Sequence, residues 1–419
     1  GHRVEGIAVG DRVACAGAGH ANHAEVAAIP SNLFVSVPQG VADEDAAYVT
    51  LGAIAMHGLR QANLQLGATV LVVGLGLVGQ ITLQLCRAAG YKTIGLDLDE
   101  AKLDLALNLG VPSSSTPDAP FLAADIAAAM SVEGLLGTDR VFAPELQAIR
   151  PHPGQADSAA NLVRLLADSG VVASHRTPDC TRVQDAYSLR CAPQVHGAAR
   201  DTADHAARVA SWELASAVDN PVVVEDRVES NGNFHGAPVA YVLDFLAIPV
   251  ADVASMSERR TDRFLDKARN HGLPPFLADD PGVDSGLMIA QYTQAAIVSE
   301  LKRLAVPASV DSIPSSAMQE DHVSMGWGAA RKLRRSVDGL ARVVAIEVMT
   351  AARALDLRVT ALDVRPSPAT GAVVDLLRSS GVEGPGPDRH LSPEIETCVD
   401  LVRTGAVLAA ATSVIGDLA

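Results

Sequence analysis

The sequence predicts a mainly α protein, a bundle of long helices preceded by a partial α/β unit. Three observations carry this expectation. From Gln319 to about Leu357, apolar residues recur at Leu333, Val337, Leu340, Val344, Val348, Ala351 and Leu355, three or four apart and without a proline. That is the period of one helical face, and such a helix would run roughly 50–60 Å. Hydrophobic residues make up 48% of the chain but aromatics only 3%, so the core must be built largely of Ala, Val and Leu, which suits close-packed helices. Finally, residues 1–111 read as alternating strands and helices, and a breaker-rich junction, residues 112–120, separates them from the helical remainder, 121–419.

In the first part, Val70-Leu71-Val72-Val73 reads as a buried strand. It runs into Gly74-Leu75-Gly76-Leu77-Val78-Gly79 and a helical pattern to Gly90, and a second strand, Thr93 to Leu96, ends at Asp97. Gly74, Gly76 and Gly79 would allow a tight turn, close approach to a pyrophosphate and helix–strand packing, and Asp97 stands where a carboxylate would bind a ribose. The order resembles an incomplete Rossmann unit over 46–111. Residues 4–111 as a whole resemble a truncated zinc-type medium-chain dehydrogenase, on Gly10-Asp11-Arg12-Val13 and Ala46-Ala47-Tyr48-Val49-Thr50-Leu51-Gly52. Residues 1–45 would then be a remnant of its GroES-like catalytic domain. The resemblance implies NAD(P), but only two of the fold's strands precede the junction, so the site is incomplete. His20 and His23 have ligand-like spacing but no third ligand and read as strand residues, so no metal is expected.

Beyond the junction, long helices are expected over 199–218, 237–270 with a kink at Pro249, and 285–305. A last helix would start with Ser392 as N-cap, Pro393 at its first position, and Glu394 and Glu396 near its positive end. Helices this long expose too much apolar surface alone, so a homo-oligomer is expected.

The net charge of −16 argues against nucleic acid or anionic membrane as partners. The basic stretches Glu258-Arg259-Arg260 and Arg331-Lys332-Leu333-Arg334-Arg335 read as solvated or intersubunit faces. The apolar stretch Leu66–Cys86 is interrupted by glycines and fits a strand–turn–helix better than a membrane span. Five scattered cysteines without a CxxC pair fit neither a disulfide framework nor structural zinc and point to a cytoplasmic setting. Gly1-His2-Arg3 has neither an apolar run nor an initiator Met, so neither a signal peptide nor a natural start is expected there.

Chemistry concentrates in ordered motifs of the second part: Arg150-Pro151-His152-Pro153-Gly154-Gln155, Gln184-Asp185-Ala186-Tyr187-Ser188-Leu189-Arg190-Cys191, Asp219-Asn220-Pro221, Asn231-Gly232-Asn233-Phe234-His235 and Gln319-Glu320-Asp321-His322-Val323-Ser324-Met325-Gly326. Gln184, Tyr187 and Arg190 recur every three residues, so one helical turn would present them together, either as a binding face or as a polar subunit contact. Together and in this order, the motifs resemble the aromatic amino-acid lyase family, and the Gln-Glu-Asp-His-Val-Ser-Met form is most similar to histidine ammonia-lyases. The resemblance implies the long-helix fold of that family, a homotetramer, and conversion of L-histidine to trans-urocanate and ammonia. It implies that Arg190 clamps the substrate carboxylate, Tyr187 handles a proton, Gln184 lies beside the prosthetic group, Phe234 packs near it, and Glu320, heading the long helix, meets the imidazole.

The family's electrophile is a methylidene-imidazolone formed from Ala-Ser-Gly, a tripeptide that these 419 residues lack. Its nearest matches are Asp168-Ser169-Gly170, Asp284-Ser285-Gly286 and Ser379-Ser380-Gly381. Activity of the chain alone is therefore not expected, and a dehydrogenase-like protein or an inactive chimera stand as alternatives.

Overall fold

The computed structural model describes residues 7–17, 20–21, 24–64, 68–97, 102, 119–177, 180 and 183–419. His23 and most of the junction lie outside the described residues. The chain divides into two compact units, Gly1–Thr116 and Pro117–Ala419, a boundary inside the 112–120 stretch.

In the first unit, β1 (Val13–Cys15) pairs antiparallel with β2 (Phe34–Ser36), and helix α1 (Val49–Gln61) follows. Strand β3 (Thr69–Val73) then lies parallel to β4 (Lys92–Leu96), in register from Thr69 opposite Lys92 to Val73 opposite Leu96. The crossover between them is α2 (Leu77–Ala88). Leu75 and Leu83 form a small core against Val72. Strand alternation turns Leu71 and Val73 the other way, where they remain half exposed.

The second unit is helical. Helix α3 (Ala119–Gly134) is its centre: apart from Leu122, every residue from Phe121 to Gly134 is buried. A helix apolar all round belongs in a core, yet this one carries Asp125, Ser131 and Glu133, and each ties a different neighbour. Asp125 accepts from Ser158 and Asn161 of α4 (Pro153–Leu165) and pairs with His196 of α6 (Ala192–Leu214). Ser131 donates to Glu347 at 2.6 Å. Glu133 accepts from Ser169, Thr370 and the Ser367 N–H, joining the N-cap serines of Gly170–Ser174 and α10 (Pro368–Ser379). Burial pushes the Glu133 carboxyl above its usual range, against those hydrogen bonds.

Helices α4 and α6 cross backbone to backbone. A Cβ on Gly197 would lie 2.3 Å from the Gln155 nitrogen, and one on Gly154 would lie 2.3 Å from the Gly197 oxygen. This explains the glycine of the Arg150–Gln155 motif. Around the centre pack α7 (Ala237–Leu265), α8 (Met288–Leu304), α9 (Gly326–Leu362), α11 (Ser392–Arg403) and α12 (Ala406–Ile415). Among the described residues α7 is long and apolar enough to cross a membrane, as is the bent pair α11–α12 taken together, but the inner faces of these helices are part of this core.

Several expectations need correction. The longest helix begins at Gly326 rather than Gln319, because Ser312 and Ser315 draw residues 320–323 into a loop: Ser312 Oγ bonds both the Val323 N–H and its carbonyl. Helix α6 starts seven residues before the expected 199, with Pro193 in its first turn. Helix α7, which contains Pro249, ends at Leu265 rather than 270. The N-cap of α11 is Leu391, and Ser392 makes no capping bond. Arg260 is not a surface cation at all: it is fully buried and paired with Glu347.

Candidate active site

The site residues fall on two groups of segments. The first is α5, a single turn from Tyr187 to Arg190, entered from an extended Ala186. Leu189 anchors the turn in the core while Tyr187 is 70% exposed. The Arg190 guanidinium carbon stands 4.6 Å over the Tyr187 ring centroid, a cation–π contact. The Arg190 Nε is buried without a partner, and among the described residues no carboxylate pairs with this side chain. A guanidinium fork held against an aromatic ring with no acid of its own is suited to an incoming carboxylate.

Gln184 is not on that helical face, a correction to its threefold spacing with Tyr187 and Arg190. It lies in the coil before Ala186, exposed, at the rim of a cavity of about 340 Å³ that Leu189, Arg263 and His271 also line. The extended conformation at Ala186 breaks the periodicity. Next to it, Asp185 accepts the Thr138 N–H at 2.7 Å and ties the coil to the loop after α3.

The second group joins two loops. Asn220 Oδ1 accepts the Asn231 N–H at 2.9 Å, Asn231 Nδ2 donates to the Asp219 carbonyl, and Asn231 Oδ1 accepts the Asn233 N–H. The Asp-Asn-Pro and Asn-Gly-Asn motifs therefore brace each other and present Phe234, 55% exposed. The neighbouring His235 ring stacks on His322, centroids 5.7 Å apart and planes 10° apart, which brings the Phe234 loop to the Glu320 loop. Glu320 is an exposed loop residue rather than the head of the long helix. Its backbone pairs with Ser315 in both directions, and its carboxylate accepts from Ser315 Oγ at 2.6 Å. That bond, aided by Ser316, holds its pKa below the usual carboxylate range. Among the described residues no hydrogen bond, ion pair or ring contact links Gln184, Tyr187 or Arg190 to Phe234 or Glu320.

Sequence reasoning missed Ser315, the stacking of His235 on His322, and the burial of Arg260. The histidines stand 87 residues apart and nothing local marks their contact. Ser315 leaves a faint signal as a hydroxyl five residues before an acid.

Each of the three Ser-Gly steps is engaged in the fold. Ser169 is a buried N-cap bonded to Glu133, and a Cβ on Gly170 would lie 2.8 Å from the Arg365 oxygen. The N–H groups of Ser285 and Gly286 are bound to Asp388. Ser380 is the C-cap of α10. In the first unit, Gly74 takes φ +85°, a Cβ on Gly79 would lie 1.9 Å from the Gly74 oxygen, and Gly76 has open space around it. Asp97 accepts the Leu75 N–H at 2.6 Å and faces Lys102 at 3.7 Å.

Comparison with known proteins places the second unit. It is similar to histidine ammonia-lyase of Streptomyces coelicolor, 66% identical over 316 residues that make up 75% of this chain and 61% of that protein. The corresponding enzyme of Streptomyces griseus is 68% identical over 300 residues, covering 71% and 58%. The chain thus spans about six-tenths of the length of these relatives. Among solved structures, histidine ammonia-lyase from Trypanosoma cruzi superposes with TM-score 0.63 at 39% identity, over 71% of this chain and 56% of that one. Tyrosine aminomutase from Streptomyces globisporus gives 0.66 at 33% identity, over 81% and 68%. Residues 117–379 match the family model "Aromatic amino acid lyase", more than half of the chain: this protein belongs to the aromatic amino acid lyase family.

Proposed function

We propose that residues 119–419 form the substrate-handling part of an ammonia-lyase that converts L-histidine to trans-urocanate and ammonia. The observation that supports the reading is the Arg190 guanidinium stacked on Tyr187, its Nε buried without a partner and no carboxylate pairing with it among the described residues. The reaction breaks a β-carbon–hydrogen bond and the α-carbon–nitrogen bond, forms the carbon–carbon double bond, and releases the amine as ammonia. In this reading Arg190 binds the α-carboxylate by a bidentate fork. Tyr187, beside it, is positioned to exchange a proton at the substrate. Gln184 would lie beside the electrophile and Phe234 would pack near it. Glu320, kept ionised by Ser315, accepts the imidazole N–H.

The family uses a methylidene-imidazolone electrophile. Its Ala-Ser-Gly precursor is not among these 419 residues, so in this reading the electrophile comes from outside them, in a mixed oligomer with an intact subunit. Support for oligomerisation is the apolar face of Tyr241, Phe245 and Ile248 on α7, each at least half exposed. We assign a tetramer and a cytoplasmic setting to this reading.

Urocanate absorbance tests it. The purified chain alone is expected to be silent. Mixed with an intact lyase lacking its counterpart of Tyr187, it should restore turnover; a silent mixture would overturn the reading. A second reading concerns the first unit only. Its parallel β3–α2–β4 crossover, the left-handed Gly74 and the close approach at Gly79 support dinucleotide binding. Titration with NADH followed by fluorescence tests it, and absence of saturation would remove it.

A further inference from the structure

Arg260, near the C-terminal end of α7, and Glu347, in the middle of α9, both have 0% side-chain exposure. The pair is bidentate: Arg260 Nε meets Glu347 Oε1, Nη2 meets Oε2 at 2.9 Å, and Ser131 Oγ adds a bond to Oε1 at 2.6 Å. A buried ion pair is a poor source of stability, because desolvation offsets the attraction and well-packed apolar residues commonly serve as well. What apolar residues cannot supply is a hydrogen bond. The remaining arm of the fork, Arg260 Nη1, donates to the Ser188 carbonyl at 3.1 Å.

Ser188 sits between Tyr187 and Leu189 in a turn of four residues. A single helical turn has little stability of its own, and Cys191, at once its C-cap and the N-cap of α6, breaks the helix between them, so the direction of α5 depends on its tertiary anchors. Leu189 supplies an apolar one, Asp185 ties the preceding coil to Thr138, and Arg260 fixes the backbone between the two outward side chains. We propose that the Arg260–Glu347 pair, completed by Ser131, is a positioning device for the carboxylate clamp. It orients the peptide from which Tyr187 and Arg190 project, without touching substrate. This rests on the reading of Arg190 as that clamp.

The test uses the full chain labelled with fluorotyrosine. There are five tyrosines, and the Tyr187 resonance is assigned with Tyr187→Phe. Arg260→Lys and Glu347→Gln should shift or broaden Tyr187 while the other four resonances hold. They should weaken binding of urocanate about tenfold, the worth of one hydrogen bond to a charged group, and leave binding of free imidazole, which has no carboxylate, unchanged. Should either variant fail to fold, Ser131→Ala removes only the outer bond and should give the same pattern at smaller amplitude. An unmoved Tyr187 resonance in folded variants, or equal loss for urocanate and imidazole, overturns the proposal. A moved resonance in a chain that binds no urocanate upholds the positioning and overturns the substrate reading instead.

Discussion

At Gly74, where β3 leaves its strand for α2, the backbone enters the left-handed region at φ +85° on a glycine. Before Glu320 it does so three times in succession, at Ser316, Ala317 and Met318 (φ +50°, +53° and +71°), with no glycine present. Each such residue with a Cβ costs about 1–2 kcal/mol. The first turn is relaxed, and its side-chain partner is Asp97 on the Leu75 N–H. The second is strained, and the Ser315–Glu320 bridge and side-chain bond hold it. Strain of this kind persists where the surroundings over-determine it, and it gathers at functional sites. The contrast separates a turn shaped for backbone fit from one shaped to present a carboxylate.

The largest expected effect lies in the relaxed turn. Gly79→Ala would place a methyl 1.9 Å from the Gly74 oxygen, and neither atom belongs to a flexible side chain. Overpacking against backbone should cost the first unit about 3 kcal/mol, read as a lowered urea midpoint in the signal of that unit. Gly76→Ala, with open space around it, is the control and should move the midpoint little. Equal effects for the two would break the account of this turn. Gly74→Ala comes next: it forces a Cβ into φ +85° and should cost about 1–2 kcal/mol.

The same contrast explains what was legible in the sequence. The β3–α2–β4 unit could be read residue by residue, because strand, glycines and helix are local signals. The interior of α9 could be read from its period. Its start could not: Gln319-Glu320-Asp321 has the acidic composition of a helix N-terminus, and only the partners Ser312 and Ser315 show it to be a loop. The motifs carrying Tyr187, Arg190, Phe234 and Glu320 stood out by their resemblance to a family's ordered motifs, which says nothing of the separation of Gln184 from the Tyr187–Arg190 turn. The polar groups on α3 were invisible for another reason. Asp125 and Glu133 in an Ala-rich run resemble solvated positions until their partners, 33 to 237 residues away, are placed.

A smaller effect of opposite sign is expected in the strained turn. Ala317→Gly removes the Cβ from a left-handed residue, and relief of strain is partly offset by the greater freedom of the unfolded chain. A net gain of about 0.5–1 kcal/mol follows, measured as a raised urea midpoint for the helical signal. In the complementation assay the same variant should lose turnover, since the loop that presents Glu320 becomes looser. A loss of stability would show that the segment is not strained, and the contrast with Gly74 would fail.

The smallest effect is a titration. Ser315 Oγ bonds the Glu320 carboxylate and, with Ser316, lowers its pKa. A carboxyl whose folded pKa is depressed stabilises the fold above its unfolded pKa, and that contribution disappears as pH falls through the folded value. Glu320 is fully exposed, so solvent screens the effect and the fold should barely register it. The protonation state is the sensitive readout. Ser315→Ala should raise the Glu320 titration toward the usual carboxylate range, followed by carbon NMR of the labelled side chain, and should shift the acid limb of complemented turnover the same way. Asp97 differs in that one of its contacts is a backbone N–H, which no substitution of a neighbouring side chain removes. Glu320 depends on one hydroxyl, so the charge of the strained turn can be altered while its backbone is left in place. An unchanged titration in Ser315→Ala would show that the backbone bridge alone sets the carboxylate and that the hydroxyl has no part in it.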